Sequence, residues 1–237
     1  MAVVHHTTMT PGKLELLASW LPAQPWYLGT ADTPRLTKAG GFRLDDPQGE
    51  VGIEFMAVTD ESGERPVTYQ APLSYRGAPL DGADHALIGT AEHGTLRRRW
   101  IYDGVHDPVL AAQLFALVLG EAEPQAQSTS DTRDPSVTSH FSGTSPGASI
   151  GPMEVIDGPH GTDLLVGTLS VSGLPRPAEG LTLRVNRVLR PERAEPSAGA
   201  AAVLGHVTAD WLLPDGTTAR GPYTVVRATP LSRRTST

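Results

Sequence analysis

The stretch LELLASWLPAQPWYLG, residues 14–29, decides how this chain is expected to fold. Leu14, Leu17 and Leu21 recur at steps of three and four, a spacing that places apolar side chains on one face of a helix. Pro22 ends that helix, because proline lacks an amide hydrogen and its ring clashes with the preceding turn. The stretch therefore predicts a short amphipathic helix followed by a rigid aromatic turn, and the apolar side chains of both are expected to pack against a sheet.

The residues that follow supply such a sheet. Val51, Ile53 and Phe55 alternate with residues on the opposite face, which is the period-two signature of a strand with one buried side. Turn residues separate this strand from three further candidates, residues 67–75, 86–90 and 96–102. The pattern predicts an antiparallel sheet about four strands wide.

A second helix is predicted directly after the sheet. Asp107 suits the N-cap, where its carboxylate accepts a backbone N–H, and Pro108 suits the first helical position. A leucine-rich face follows, and Gly120 is a typical helix stop. Helix, antiparallel strands and helix in this order predict an α+β fold.

The rest of the chain differs in composition. Residues 121–151 are rich in Ser, Thr and Pro, which favours a linker, and residues 152–228 contain strand-like runs with a Pro214-Asp215-Gly216 hairpin turn. Both chain ends read as flexible. The predicted organisation is a flexible start (1–11), an α+β domain (12–120), a linker (121–151), a small β-rich module (152–228) and a flexible tail (229–237).

Bulk composition excludes several functional classes. The formal charge of −7 and the pI of about 5.6 disfavour nucleic acids and anionic membranes as partners. The chain has no cysteine, so disulfides, thiolate metal sites and cysteine nucleophiles are excluded. No apolar run reaches the roughly 20 residues that span a bilayer, and the expectation is a soluble, cytoplasmic protein.

Several residues of the opening stretch carry a family resemblance. Trp20, Leu21-Pro22, Gln24, Trp26-Tyr27 and Gly29 occur in order, followed by VGIEF at residues 51–55 and DGVHDP at residues 103–108. This pattern resembles the N-terminal cap domain of bacterial maltokinases, enzymes that phosphorylate maltose with ATP. The resemblance implies a cystatin-like fold for residues 12–120, with helices packed on an antiparallel sheet.

The resemblance also implies a possible Mg-ATP site in the second module. Arg184 occupies the position of the ATP-pairing lysine, and Ser139 and Ser142 lie where a phosphate-contacting loop is expected. The alternative is a plain solvent-facing arginine on a strand. The run His160-Gly161-Thr162-Asp163 is similar to a catalytic loop, but it is interpreted as a turn before a strand, and no helical catalytic lobe follows.

Aromatic residues offer a different site. Trp26, Tyr27 and Trp100 suit stacking on a sugar ring if they are exposed, whereas in the alternative interpretation they are core residues. His85, Glu92 and His93 are interpreted as solvated turn residues rather than as an acid–base set.

Taken with the missing catalytic lobe, the resemblance predicts a non-catalytic accessory or regulatory protein of α-glucan, maltose or trehalose metabolism. Its expected partner is a kinase lobe or a glucan-metabolising enzyme. Two alternatives stay open: the ATP-binding half of a split sugar kinase, and an oligosaccharide-binding module.

Overall fold

A computed structural model describes residues 9–129, 131–142, 150–159, 161–169, 175–191 and 203–229. In these ranges the chain forms two antiparallel sheets and two α-helices, which agrees with the predicted α+β class, although strands dominate. The helices are α1 (Lys13–Trp20) and α2 (Pro108–Leu119). Short 3-10 turns occupy Leu21–Ala23, Asp84–Ala86 and Gly104–His106.

The first sheet contains seven strands, in the spatial order β1-β5-β6-β4-β3-β2-β7. Neighbouring strands are antiparallel throughout. In chain order the strands are β1 (Met9–Thr10), β2 (Leu36–Leu44), β3 (Gly52–Asp60), β4 (Val67–Arg76), β5 (Leu87–His93), β6 (Arg97–Asp103) and β7 (Gln125–Ala126).

The second sheet contains six strands, in the order β8-β12-β13-β11-β10-β9. It is also antiparallel, and its last hairpin turns at Pro214-Asp215-Gly216 as predicted. The strands are β8 (Thr138–Phe141), β9 (Ile150–Gly158), β10 (Gly161–Leu169), β11 (Pro175–Val185), β12 (Val203–Leu212) and β13 (Thr218–Thr229).

Residues 14–29 pack on the first sheet, which confirms the role expected for them. Leu17, Leu21 and Trp26 are fully buried. Trp26 contacts the rings of Trp20 and Tyr69, with centroids 5.5 and 6.0 Å away. The surface that they cover consists of the buried residues Met56, Val58, Tyr69, Ala71, Leu73, Ala91 and Ile101. Burial of this apolar area, at about 25 cal/mol per Å², fixes the helix on the sheet.

The first sheet is wider than the four strands that the sequence predicts. The strand β2 has a bulge between Lys38 and Gly40, and Gly41 adopts a φ of 126°. The Gly40-Gly41 pair therefore resembles a turn in the sequence, although the chain continues as a strand. A Cβ on Gly41 would lie 2.1 Å from the carbonyl oxygen of Phe55, so only glycine fits there. The remaining additional strands, β1 and β7, have two residues each.

The helix α2 begins and ends where the sequence predicts. The Asp107 carboxylate accepts a hydrogen bond from the Val109 amide at 2.9 Å, and Gly120 closes the helix with a left-handed φ of 77°. Leu110, Leu114 and other α2 residues are buried in a core that both sheets share.

This shared core joins the two predicted modules. Phe42 on β2 stacks on Phe55 with centroids 4.7 Å apart and contacts Tyr223 of the second sheet at 5.7 Å. Buried residues of β10 to β13, including Leu164 and Trp211, belong to the same cluster. The second sheet therefore packs against the N-terminal domain over a continuous apolar surface.

The predicted linker and flexible start need correction. Within residues 121–151, β7 extends the first sheet and β8 pairs with β12 of the second. Met9 and Thr10 pair with β5, so the start of the chain is ordered from there. These segments are too short to show a periodic pattern, and pairing with a distant strand satisfies their backbone groups. Residues 1–8, 130, 143–149, 160, 170–174, 192–202 and 230–237 lie outside the described residues.

Candidate functional site

The two sheets meet at the DGVHDP run, residues 103–108. Asp103 ends β6, residues 104–106 form a 3-10 turn, and Asp107 caps α2. Burial would raise the pKa of Asp107, but two hydrogen bonds from Arg76, at 2.6 and 2.7 Å, contribute to a pKa below its usual value. The run is therefore held at both ends, by the sheet and by a charged cap.

Arg187 of the second module enters this junction and is fully buried. Its Nη2 donates to Asp103 Oδ2 at 2.5 Å, and its Nε donates to Thr162 Oγ1 at 2.8 Å. The guanidinium lies over the Trp26 ring, 4.8 Å from the centroid, in a cation–π contact. In turn Thr162 donates to Asp157 at 2.6 Å. One arginine thus connects the aromatic turn, the DGVHDP run and β10.

Backbone hydrogen bonds fix Arg187 in this position. The Gln70 amide donates to the Arg187 carbonyl at 2.8 Å, and the Leu189 amide donates to the Thr68 carbonyl at 2.8 Å. These bonds place the segment after β11 alongside β4 of the first sheet. Asp103 Oδ1 and Arg187 Nη1 find no partner among the described residues, so the buried pair is only partly satisfied.

A cleft of about 340 Å³ opens beside this junction. Its walls come from the 80–85 loop, the DGVHDP run and β9, and its lining includes Asp81, His85, His106, Met153 and Val155. This volume is at the lower end of the range for small-ligand sites. The cleft combines two imidazoles and a carboxylate with apolar side chains.

The two imidazoles of the cleft contact each other directly. His85 Nε2 and His106 Nδ1 lie 3.2 Å apart, and the rings are perpendicular with centroids 4.7 Å apart. Burial lowers the pKa of His106, although Asp103 and Asp157 act in the opposite direction. His85 is exposed, so the pair reaches from solvent into the interior of the cleft.

The structure places the predicted sugar-stacking residues in different surroundings. Trp26 is fully buried under Arg187 and has no ring face open to a sugar, which corrects the stacking interpretation for this residue. Tyr27 is half-buried and donates to Asp60 at 2.8 Å, and burial together with this hydrogen bond raises its pKa. Half-buried Trp100 packs in a separate cluster with Tyr102. The three aromatics do not form one platform.

The predicted ATP residues are also separated. Arg184 donates to both carboxylate oxygens of Asp163 on the neighbouring strand, at 2.6 and 2.5 Å. Ser139 lies on β8, three strand spacings or roughly 14 Å from the strand of Arg184. Ser142 donates to the Leu204 carbonyl at 2.9 Å. The arrangement does not bring these side chains together around one phosphate group.

Ser139 lines a second cleft, of about 400 Å³, at the end of α2. The charged residues of this cleft are Glu121, Glu123 and Arg133, so its formal charge is negative. A triphosphate is disfavoured there by like-charge repulsion and by the carbonyl end of the helix. Because Arg184 is already paired with Asp163 and the cleft at Ser139 is acidic, these residues do not fit Mg-ATP.

Sequence reasoning identified the DGVHDP run as a motif but missed its partners. Arg187 follows β11 in a polar segment, and nothing local indicates that it is buried against Asp103. Thr162 and Asp163 of the catalytic-loop-like run hold Arg187 and Arg184 respectively, and His160 lies outside the described residues. His85 contacts His106, whereas Glu92 pairs with Arg98 at 2.8 Å. Except for Glu92 and Arg98, which lie 6 positions apart on neighbouring strands, these pairings join residues at least 21 positions apart.

Comparison with known families gives a match to part of the chain that forms the first sheet. Residues 20–107 match the family model of the maltokinase N-terminal cap domain. This part of the chain is therefore similar to a maltokinase N-terminal cap domain, and "cap domain" hereafter denotes the first sheet with its helices. The match covers Trp26, His85, Asp103 and His106, and it covers fewer than half of the 237 residues. Arg187 and β9, which complete the junction and the cleft, lie outside it.

Two further findings concern the curated proteins and the helices. No curated protein matched this sequence. Neither α1 nor α2, the helices of the described ranges, is long and apolar enough to cross a membrane.

Proposed function

We propose that this protein is a non-catalytic accessory or regulatory component of α-glucan, maltose or trehalose metabolism. The cap-domain match links the chain to this area of metabolism. The observation that supports a non-catalytic role is the bidentate pair between Arg184 and Asp163, because it occupies the guanidinium that a bound phosphate would need. Ser139 and Ser142 lie elsewhere and do not complete a phosphate site.

We infer that the cap domain has a cystatin-like arrangement. Support comes from α1 and its aromatic turn, which cover one face of an antiparallel sheet through Leu17, Leu21 and Trp26. The helix α2 packs against β2 and the second sheet within the shared core.

The second sheet packs against the cap domain through a shared core. Arg187 is inserted between Asp103 and Trp26, and the aromatic contact of Phe42 with Tyr223 continues the interface. A partner that recognises the cap domain therefore meets a fixed surface that includes the second sheet. A kinase lobe or a glucan-metabolising enzyme is the proposed partner.

Purified protein tests the proposal directly. Untagged protein is incubated with Mg-ATP and maltose, and phosphate transfer is followed by 31P NMR. Binding of Mg-ATP and of maltodextrin is measured by calorimetry and by tryptophan fluorescence. We expect no turnover and no Mg-ATP binding, because Arg184 is paired with Asp163. Turnover that a point mutation abolishes would refute the non-catalytic role.

A reconstituted complex separates the accessory role from a split kinase. A partner enzyme that co-purifies from maltose-grown cells is mixed with the protein, and its rate is measured with and without Mg-ATP. We expect the protein to change the partner's own rate and Arg184→Met to leave that change intact. Mg-ATP binding that Arg184→Met abolishes, and that Arg227→Met on β13 does not, would establish the split kinase instead. Tryptophan quenching by maltodextrin would establish an oligosaccharide-binding module.

A further inference from the structure

We propose that His85 and His106 bind one divalent transition-metal ion, of the Zn²⁺ or Ni²⁺ type, at the cleft beside the Asp103–Arg187 junction. Imidazole nitrogens are common ligands of these ions. This inference is independent of the proposed accessory role, because it rests only on the geometry of the two side chains and their cleft.

The distance between the two nitrogens fits one metal ion. His85 Nε2 and His106 Nδ1 lie 3.2 Å apart. Zinc–nitrogen bonds of about 2.0–2.1 Å at a tetrahedral angle place two ligand nitrogens roughly 3.3 Å apart. The rings are perpendicular to each other, so each presents its nitrogen without a clash between ring faces. In the metal-free protein one of these nitrogens donates a hydrogen bond to the other, and that proton must leave when both nitrogens bind the ion.

Both histidines are carried by short turns that the core holds in place. His85 is in the 3-10 turn Asp84–Ala86, in which Ala86 is buried. His106 ends the 3-10 turn Gly104–His106, between buried Val105 and the N-cap Asp107. Ligands on fixed turns lose little conformational entropy when they bind an ion, and this raises affinity.

The cleft provides room for further ligands. Its volume of about 340 Å³ accommodates an ion with coordinated waters, and the Asp81 carboxylate lines the same space. No group of three or more His, Asp or Glu side chains that would enclose a metal occurs among the described residues. With two protein ligands, the proposed site leaves its remaining coordination positions to water or to an oxygen of a small ligand.

A second histidine pair provides the matched control. His140 on β8 and His206 on β12 are cross-strand partners on neighbouring strands of the second sheet, with ring centroids 5.7 Å apart. Neither residue lines the cleft at the junction. A metal that merely collects on surface histidines would respond to this pair as well.

The test is calorimetric titration of untagged full-length protein with Zn²⁺ and, separately, with Ni²⁺. All samples carry His5→Ala and His6→Ala, because the adjacent terminal histidines would otherwise contribute a background site. We expect one ion per chain. His85→Ala should weaken binding at least tenfold, and His140→Ala/His206→Ala should leave it unchanged. His85 is exposed, so its replacement is compatible with folding.

A second measurement assigns the ligand nitrogens. In 15N-labelled protein, Zn²⁺ should shift the imidazole resonances of His85 Nε2 and His106 Nδ1 and leave those of His140 and His206 in place. His106→Gln retains a hydrogen-bonding side chain at the turn and should also weaken binding tenfold, with the amide spectrum of the fold preserved. No binding, or an equal loss of affinity in the His85 and His140/His206 variants, would overturn the proposal.

Discussion

Replacing Arg187 tests whether the cap domain and the second sheet form one unit. Arg187→Met removes the charge and retains much of the length of the side chain. Asp103 is 3% exposed and would then be a buried carboxylate without its cation. Breaking a buried ion pair in this way costs about 3–5 kcal/mol. The lost cation–π contact with Trp26 is part of the same perturbation and is not added separately.

The double variant makes the prediction sharper. Arg187→Met combined with Asp103→Leu removes both charges, and apolar replacements of buried pairs are often neutral. The double variant should therefore be more stable than Arg187→Met alone by at least about 1 kcal/mol, although it removes more of the native interactions. In the native protein, Asp103 Oδ1 and Arg187 Nη1 are buried without a hydrogen-bond partner, and the double variant removes this cost as well.

The assay is urea unfolding at pH 7, followed by tryptophan fluorescence. Trp26 of the cap domain and Trp211 of the second sheet are both buried, so the signal reports on both sheets. The control is Arg184→Met, whose pair with Asp163 is partly exposed and is expected to contribute about 0–1 kcal/mol. Equal costs for Arg187→Met and Arg184→Met, or a double variant less stable than Arg187→Met, would refute the reasoning.

Three further predictions concern acid stability, a helix end and the shared core. Burial would raise the pKa of Glu54, but its 2.6 Å ion pair with Lys13 contributes to an overall lowering. Its stabilisation is therefore present above pH about 4.3 and is lost as the pH falls through the lowered value. Glu54→Gln should flatten the pH dependence of the urea midpoint in this range, and an unchanged slope would contradict it. Gly120→Ala should lower the free energy of unfolding in urea by about 1–2 kcal/mol, because Gly120 has a left-handed φ of 77°. The control Gly12→Ala, at a φ of −72°, should lower it by less than about 0.5 kcal/mol. Similar values for the two variants would argue against a left-handed helix cap at Gly120. Phe42→Ala should lower the free energy of unfolding by about 3–5 kcal/mol, because Phe42 is fully buried against Phe55. The unfolding transitions followed by fluorescence and by circular dichroism should shift together. A shift of one transition without the other would show that the two sheets unfold independently.

Local patterns in the sequence determined much of the cap domain. A strand is found where the alternation at residues 51–56 predicts it, but the prediction of one buried side is wrong, because Glu54 and Met56 are buried as well as Ile53 and Phe55. The Asp107-Pro108 start and the Gly120 stop of α2 are found at the predicted residues. The amphipathic start and Pro-containing turn of residues 14–29 also lie on the sheet as expected. These features depend on neighbours within a few residues, so periodicity, capping and backbone restrictions are sufficient to specify them.

Tertiary structure alone decided the junction and the site. Arg187 reaches Asp103 across 84 residues of sequence, and His85 reaches His106 across 21. Each of these side chains would be assigned to the surface from its own surroundings in the sequence, since charged and imidazole groups are commonly solvated. They come together only because the shared core of Phe42, α2 and the second sheet brings distant strands into register. Burial then makes the charged pair depend on contacts that no local pattern records.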